Sequence, residues 1–228
     1  MTLDKAIKAI KQGNMILLYD DDNREGETDF VIPALDVKQG DIVRMRKDGG
    51  GLICVAIHPE AADKLGLPFI SDILRSVSLD GHMSLRTIVE KTGDIPYDSH
   101  SRSSFSLWVN HRETFTGISD NDRTLTINKI GENVRDVLDG KKIDFGIEFR
   151  SPGHVALLRA ASALLDERRG QTELSVRLAV MAGINPSMVV CEMLDDNTGN
   201  ALSKEDAIRY SRRYNIPFIE GKNILEAL

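Results

Sequence analysis

Ten consecutive residues, Asp20-Asp-Asp-Asn-Arg-Glu-Gly-Glu-Thr-Asp29, constrain this chain more than any other stretch. They carry six carboxylates between a strand-like run at 15–19 and an apolar run at 30–35. So many like charges on a short connection repel one another unless solvent or a cation meets them. Apolar flanks tie the loop to the rim of a core, which favours a metal or ligand site over a solvated turn. The order Asp21-x-Asn23-x-Glu25-Gly26 imitates the start of an EF-hand loop, but the twelfth position, which must be a bidentate Glu, is Ile32. The loop also joins strand-like runs instead of helices, which argues against a calcium module.

The remaining pattern alternates short apolar runs with helical spacing. Leu3, Ala6, Ile7 and Ile10 predict a first helix, capped by Thr2 and ended by Gly13. A short helix is expected over 36–47, a buried strand over 52–57, and a helix over 60–65. Strands are expected over 103–109, 114–119 and 144–149, and Asp122 reads as the cap of a helix carrying Ile127, Ile130, Val134 and Val137. A helix over 155–165, another from Leu174, a strand over 187–193, a helix ending near Tyr214 behind Ser203-x-x-Asp206, a strand over 216–219 and a closing helix complete the chain. With 228 residues and 41% hydrophobic content, one domain over 1–228 with one substantial core is the expectation.

Composition narrows the partners. No run approaches the roughly 18 apolar residues of a membrane span, and the first residues lead into an amphipathic pattern, so the protein reads as cytoplasmic with no membrane partner. A net charge of −6 with scattered basic residues argues against a nucleic-acid face. Cys54 and Cys191 each lie in an apolar run without Cys-x-x-Cys spacing, which suits reduced, buried thiols.

Five further stretches bear on function. The polar stretch 72–104, with Gly81, Gly93 and Pro96, is the longest candidate loop and reads as a mobile lid; His82 and His100 within it read as exposed. The triple glycine at 49–51 precedes a strand and no Lys-Ser/Thr, so it is not a nucleotide loop. In Arg150-Ser-Pro-Gly-His154 the Pro-Gly turn would set His154 at a helix start, where the dipole favours a neutral imidazole. Arg168-Arg-Gly-Gln-Thr-Glu173 reads either as a phosphate cradle at a helix N-terminus or as an ordinary turn between helices. Glu192 sits in an apolar strand, where a charge is costly unless it faces a partner or a pocket.

Four motifs in order, the acidic loop with Arg24-Glu25-Gly26-Glu27-Thr28-Asp29, Phe149-Arg-Ser-Pro-Gly-His154, Arg168-x-Gly-x-Thr-Glu173 and Cys191-Glu192, resemble those of 3,4-dihydroxy-2-butanone 4-phosphate synthase, in its monofunctional archaeal form. Residues 116–123 resemble the family's Thr-Gly-x-Ser-x-x-Asp-Arg motif, which brings Thr116 or Arg123 near substrate. The resemblance implies an α+β fold, a mixed sheet flanked by helices, in a homodimer. It implies conversion of D-ribulose 5-phosphate to L-3,4-dihydroxy-2-butanone 4-phosphate and formate, with magnesium as cofactor and manganese as a substitute. It further implies that Glu25 binds the metal, that Arg24 and Asp29 hold substrate groups, and that Glu27 assists orientation or proton transfer. Arg168, Gly170 and Thr172 would hold the phosphate, Arg169 and Gln171 would complete that substrate run with Glu25 and Glu192, and His154 and Glu192 would form the acid/base pair. One departure stands out: the family's second metal ligand is His, and here Gln171 takes its place.

Overall fold

Four short runs here have no polar face to show solvent: β1 (Ile16–Tyr19), β2 (Thr28–Pro33) and β3 (Cys54–Ile57) are buried throughout, and β6 (Ser187–Glu192) is buried up to its last residue. Strands of this kind need cover on both faces. In the computed structural model, which describes residues 2–77, 88–91, 93–98 and 100–228, they occupy the middle of a seven-stranded mixed sheet. The strand order is β4-β5-β3-β6-β2-β1-β7, with β4 at Phe105–His111, β5 at Phe149–Arg159 and β7 at Phe218–Glu220. β1 and β3 run parallel to β7 and β5 respectively, and the other neighbours are antiparallel.

Alternation along each strand splits the core in two. Leu17, Phe30, Ile32 and Val189 point to one face, which is covered by α2 (Gln39–Asp48), α3 (Pro59–Lys64), the long α5 (Asp120–Leu138) and α8 (Lys204–Tyr214). Ile16, Leu18, Val31 and Val190 point to the other, covered by α1 (Leu3–Lys11), α7 (Gln171–Ala182) and α9 (Gly221–Leu225). The architecture is the expected α+β fold.

Three local expectations fail, each because tertiary burial or a side-chain acceptor outweighs local pattern. The run from Val155 is strand, not helix: Val155 and Leu157 are fully buried between β3 and β4, and burial worth about 1.5–3 kcal/mol per large side chain exceeds a helix preference of tenths of a kcal/mol per residue. Only a 3-10 turn, Leu164–Asp166, follows. Residues 145–148 are not strand but the one-turn helix α6 (Phe145–Glu148), capped by Asp144 accepting from the Gly146 N–H at 3.0 Å. Residues 114–119 are not strand either. They wrap the Asp122 carboxylate, which accepts from the N–H groups of Phe115, Thr116 and Gly117 at 3.3, 3.1 and 2.8 Å, so Ser119, not Asp122, caps α5. Arg123 is buried and ion-paired to Asp120 at 3.1 Å.

The candidate lid begins as α4 (Ile70–Ser76); His82 and the rest of 78–87 lie outside the described residues. The triple glycine lets the backbone pack closely on β6: Gly50 N–H donates to the Glu192 carbonyl at 2.7 Å, and a Cβ on Gly49 would lie 2.9 Å from that oxygen.

Candidate active site

The acidic loop is organised by its first residue. Asp20 is buried; one carboxylate oxygen accepts from Glu27 N–H at 3.0 Å, and the other from Glu25 N–H at 3.0 Å and Arg24 Nη1 at 3.3 Å. Gly26, at φ +68°, makes the reversal that lets both amides point inward. Thus folded back, the loop lays Glu25 and Glu27 beside Asp29 against a cavity of about 340 Å³, closed across the sheet by Glu192.

Asp29 on β2 stands directly opposite Glu192 on β6. Like charges facing across a ladder repel, and here they are buried as well. Burial, then Glu192, Glu25 and Glu27, push the Asp29 carboxyl far above its usual range; burial and Glu25 also raise Glu192. Glu27 is pushed up to about 7 by burial and by Glu25, Glu192 and Asp20. Glu27 can therefore take up or release a proton near neutrality, and Asp29 and Glu192 hold their protons more tightly than ordinary carboxylates do.

The opposite wall is the N-terminus of α7. Gln171 is buried, and its Nε2 donates to the carbonyls of Leu18 at 3.0 Å and Glu27 at 3.1 Å. Carbonyls only accept, so the amide cannot be flipped, and its Oε1 is left without a partner among the described residues. Asp29 Oδ1 is likewise unpartnered. Among the described residues no three His, Cys, Asp or Glu side chains form a ready-made metal cage. Arg168 is ion-paired to buried Glu173 at 2.6 Å and lines the cavity with Thr172. Arg24 pairs with Asp20 and, at 3.0 Å, with Glu25.

The family model described as 3,4-dihydroxy-2-butanone 4-phosphate synthase matches residues 4–227. The chain belongs to that family. A synthase of that name from Methanosarcina acetivorans is 59% identical over 225 residues, covering 99% of this chain and 90% of its own. One from Archaeoglobus fulgidus is 58% identical over 226 residues, covering 99% and 93%. A solved synthase in complex with two magnesium ions matches at TM-score 0.79 and 25% identity, over 100% of this chain and 96% of its own.

Among the expected synthase residues, the fold gathers Glu25, Glu27, Asp29, Arg168, Gln171, Thr172 and Glu192 on one cavity. Gly170 caps α7 beside them. Arg24 lies behind, on a neighbouring cavity of about 390 Å³; exposed Arg169 and His100 line that cavity and not the first. His154 is absent from both. The ladder jumps from Asn110 opposite Arg150 to Val109 opposite Val155, so residues 151–154 loop out of β5, and no helix dipole acts on His154. A Cβ on Gly153 would lie 2.0 Å from the Val109 carbonyl carbon, which only glycine permits. The His154 N–H donates to Asn110 Oδ1 at 2.8 Å, and its exposed ring meets the same amide through Nδ1, 3.1 Å from Nδ2.

Sequence reading missed three residues. Asp20 and Glu173 left a trace, an acid at a strand end and an acid in a first helical turn. Tyr97, in the aperiodic stretch, left none; its ring packs against Arg24 at 5.3 Å, and burial and the nearby Glu25 push its pKa up to about 12. Cys54 is a cavity-wall residue, and its thiol is raised by burial. A larger cavity, about 620 Å³, is lined by Lys5, Lys8 and Arg44, but its one carboxylate, Asp41, is spent capping α2.

Proposed function

We propose that this protein converts D-ribulose 5-phosphate to L-3,4-dihydroxy-2-butanone 4-phosphate and formate. The observation that carries the reading is the meeting, in one cavity, of proton-poised carboxylates with an arginine and a helix N-terminus. Loss of formate after enolisation requires protons moved at several carbons, and Glu27, Asp29 and Glu192 supply three groups held above the ordinary carboxylate range.

The residues fit magnesium as the cofactor, with manganese as its substitute. Two fixed oxygens, from Glu25 and from the unpartnered Gln171 amide, suit a hard ion that keeps several waters and takes few protein ligands. When bound, the ion supplies charge neutralisation next to the substrate carbonyl. Arg168, Thr172 and the free amides of the first turn of α7 hold the phosphate, with Arg24 beside Arg168 at Gly170, and Asp29 orients the sugar hydroxyls. Tyr97, Ser104 and Phe105 shield the chamber from water.

His154 enters from a second copy of the chain. Asn110, its hydrogen-bond partner, packs against Gly117, whose neighbours Phe115 and Ile118 are 93% and 52% exposed, and Ile147 is 71% exposed, apolar side chains suited to burial in a homodimer. Incubation with ribulose 5-phosphate and magnesium tests the activity: formate release is expected, and its absence, or aldol or isomer products alone, sinks the reading. Mixing inactive His154→Ala and Glu192→Gln proteins tests the arrangement, because hybrid dimers carry one intact site and should recover about a quarter of wild-type turnover. No recovery would place His154 in its own chain's chemistry or in none.

A further inference from the structure

Glu173 is a fully buried carboxylate to which the reaction gives no work. It lies in the first turn of α7, one residue beyond Thr172, and is absent from the lining of the 340 Å³ cavity. Its two oxygens are nevertheless both committed. Oε1 accepts from the Ala161 N–H at 3.0 Å, where β5 gives way to the turn, and Oε2 accepts from Arg168 Nη1 at 2.6 Å. Arg168 forms a partition: it lines the reaction cavity on one side and a small chamber of about 150 Å³ on the other, and Glu173 lines only the small one.

From this placement we infer that Glu173 is a positioning residue, which pins Arg168 from behind so that its free donors meet a phosphate in front; the inference rests on the phosphorylated substrate proposed above. Arg168 Nε is buried with no partner among the described residues, and so are Nε and Nη2 of Arg24. Both guanidinium groups converge on bare Gly170: a Cβ there would lie 2.3 Å from Arg168 Nη1 and 2.9 Å from Arg24 Nη2. Two cations crowded at one helix N-terminus would drive each other into solvent without fixed counter-charges. Arg24 shares Asp20 with Glu25, a residue already assigned to the metal. Arg168 depends on Glu173, whose link to Ala161 holds it to the sheet. A dianionic phosphate placed between the arginines would satisfy the orphaned donors, and the cation pair would already be in place before it arrives.

The test is a double-mutant cycle with inorganic phosphate binding, followed by calorimetry, and KM for ribulose 5-phosphate as its two readouts. Glu173→Gln keeps the size and one acceptor, so the expected result is phosphate affinity and KM each weakened on the order of tenfold, with kcat and magnesium affinity held within about threefold. Arg168→Ala should weaken both readouts as much or more, and the double variant should be no worse than Arg168→Ala alone. Glu173→Asp, which shortens the reach but keeps the charge, should recover part of the loss and serves if Glu173→Gln does not fold. Additive losses, a loss confined to kcat, or unchanged phosphate binding overturns the proposal. Phosphate binding is read without turnover, so a wild-type protein that binds phosphate through this pair but releases no formate defeats the function reading and leaves the clamp standing.

Discussion

The two walls of the cavity solve opposite electrostatic problems. On the cationic side, Arg168 at the wall and Arg24 behind it each pair with a carboxylate, Glu173 and Asp20, both fully or nearly fully buried. Across the gap Glu27, Asp29 and Glu192 face one another, and burial together with neighbouring carboxylates holds all three above the ordinary carboxylate range. One wall carries its counter-charges as folded and the other waits for positive charge, which is the arrangement expected where a cation and a proton are to be exchanged. The difference teaches that stability and function are separable here: charge removal should act with opposite sign on the two sides.

The largest effect tests that sign. Glu192→Gln should lower formate release by about a thousandfold, the scale of a lost acid/base group, while raising the melting temperature of the metal-free protein by relieving its repulsion with Asp29. Asp20→Asn should do the reverse to the fold. It removes a counter-charge of buried Arg24 and an acceptor for Glu25 and Glu27 amides, at about 3 kcal/mol read by denaturant unfolding. If both variants shift stability the same way, the contrast between the walls is wrong.

A smaller effect belongs to Gln171, which joins the walls. Gln171→Ala should weaken magnesium binding by about tenfold in calorimetry, while Gln171→His should keep turnover and change which divalent ion binds best. Unchanged affinity and rate in Gln171→Ala would remove it from the ligand set, and the unpartnered Oε1 would then need another occupant.

The carboxylate wall was legible in the chain because its parts are local. Six acids between two apolar runs could only be a rim loop, and Glu192 betrayed itself as a charge in a buried strand. The cationic wall was half legible: Gly170 and Thr172 announced a helix N-terminus, but whether Arg168 faced it depended on Glu173, whose burial comes from the sheet behind it. His154 was misplaced, because a helical-looking run from Val155 is held as strand by β3 and β4, contacts more than forty residues away in sequence on either pairing. Tyr97 was invisible for a related reason: an aperiodic loop carries no pattern that says which residue will turn inward.

The finest comparison between the walls is their response to pH. Glu27, raised to about 7, and Asp29 and Glu192, raised from their usual values, bind more protons folded than unfolded once pH passes the ordinary carboxylate range. Stability therefore falls as pH rises through roughly 4.5 to 7, since the slope follows the protons bound unfolded minus those bound folded. The depressed acids, Asp120 and Asp122 among them, lose their contribution only below that window. Buried Glu173, behind Arg168, is raised by burial as well and adds to the same slope, while His58, held below its usual value by burial, opposes it as one group against four. Metal-free protein should melt a few degrees higher at pH 5 than at pH 7.5, and saturating magnesium should shrink the gap, because the ion binds the deprotonated wall. The triple variant Glu27→Gln/Asp29→Asn/Glu192→Gln should flatten most of the profile without metal; a slope that survives it undiminished would have to arise outside the carboxylate wall, and the contrast between the two walls would lose its electrostatic basis.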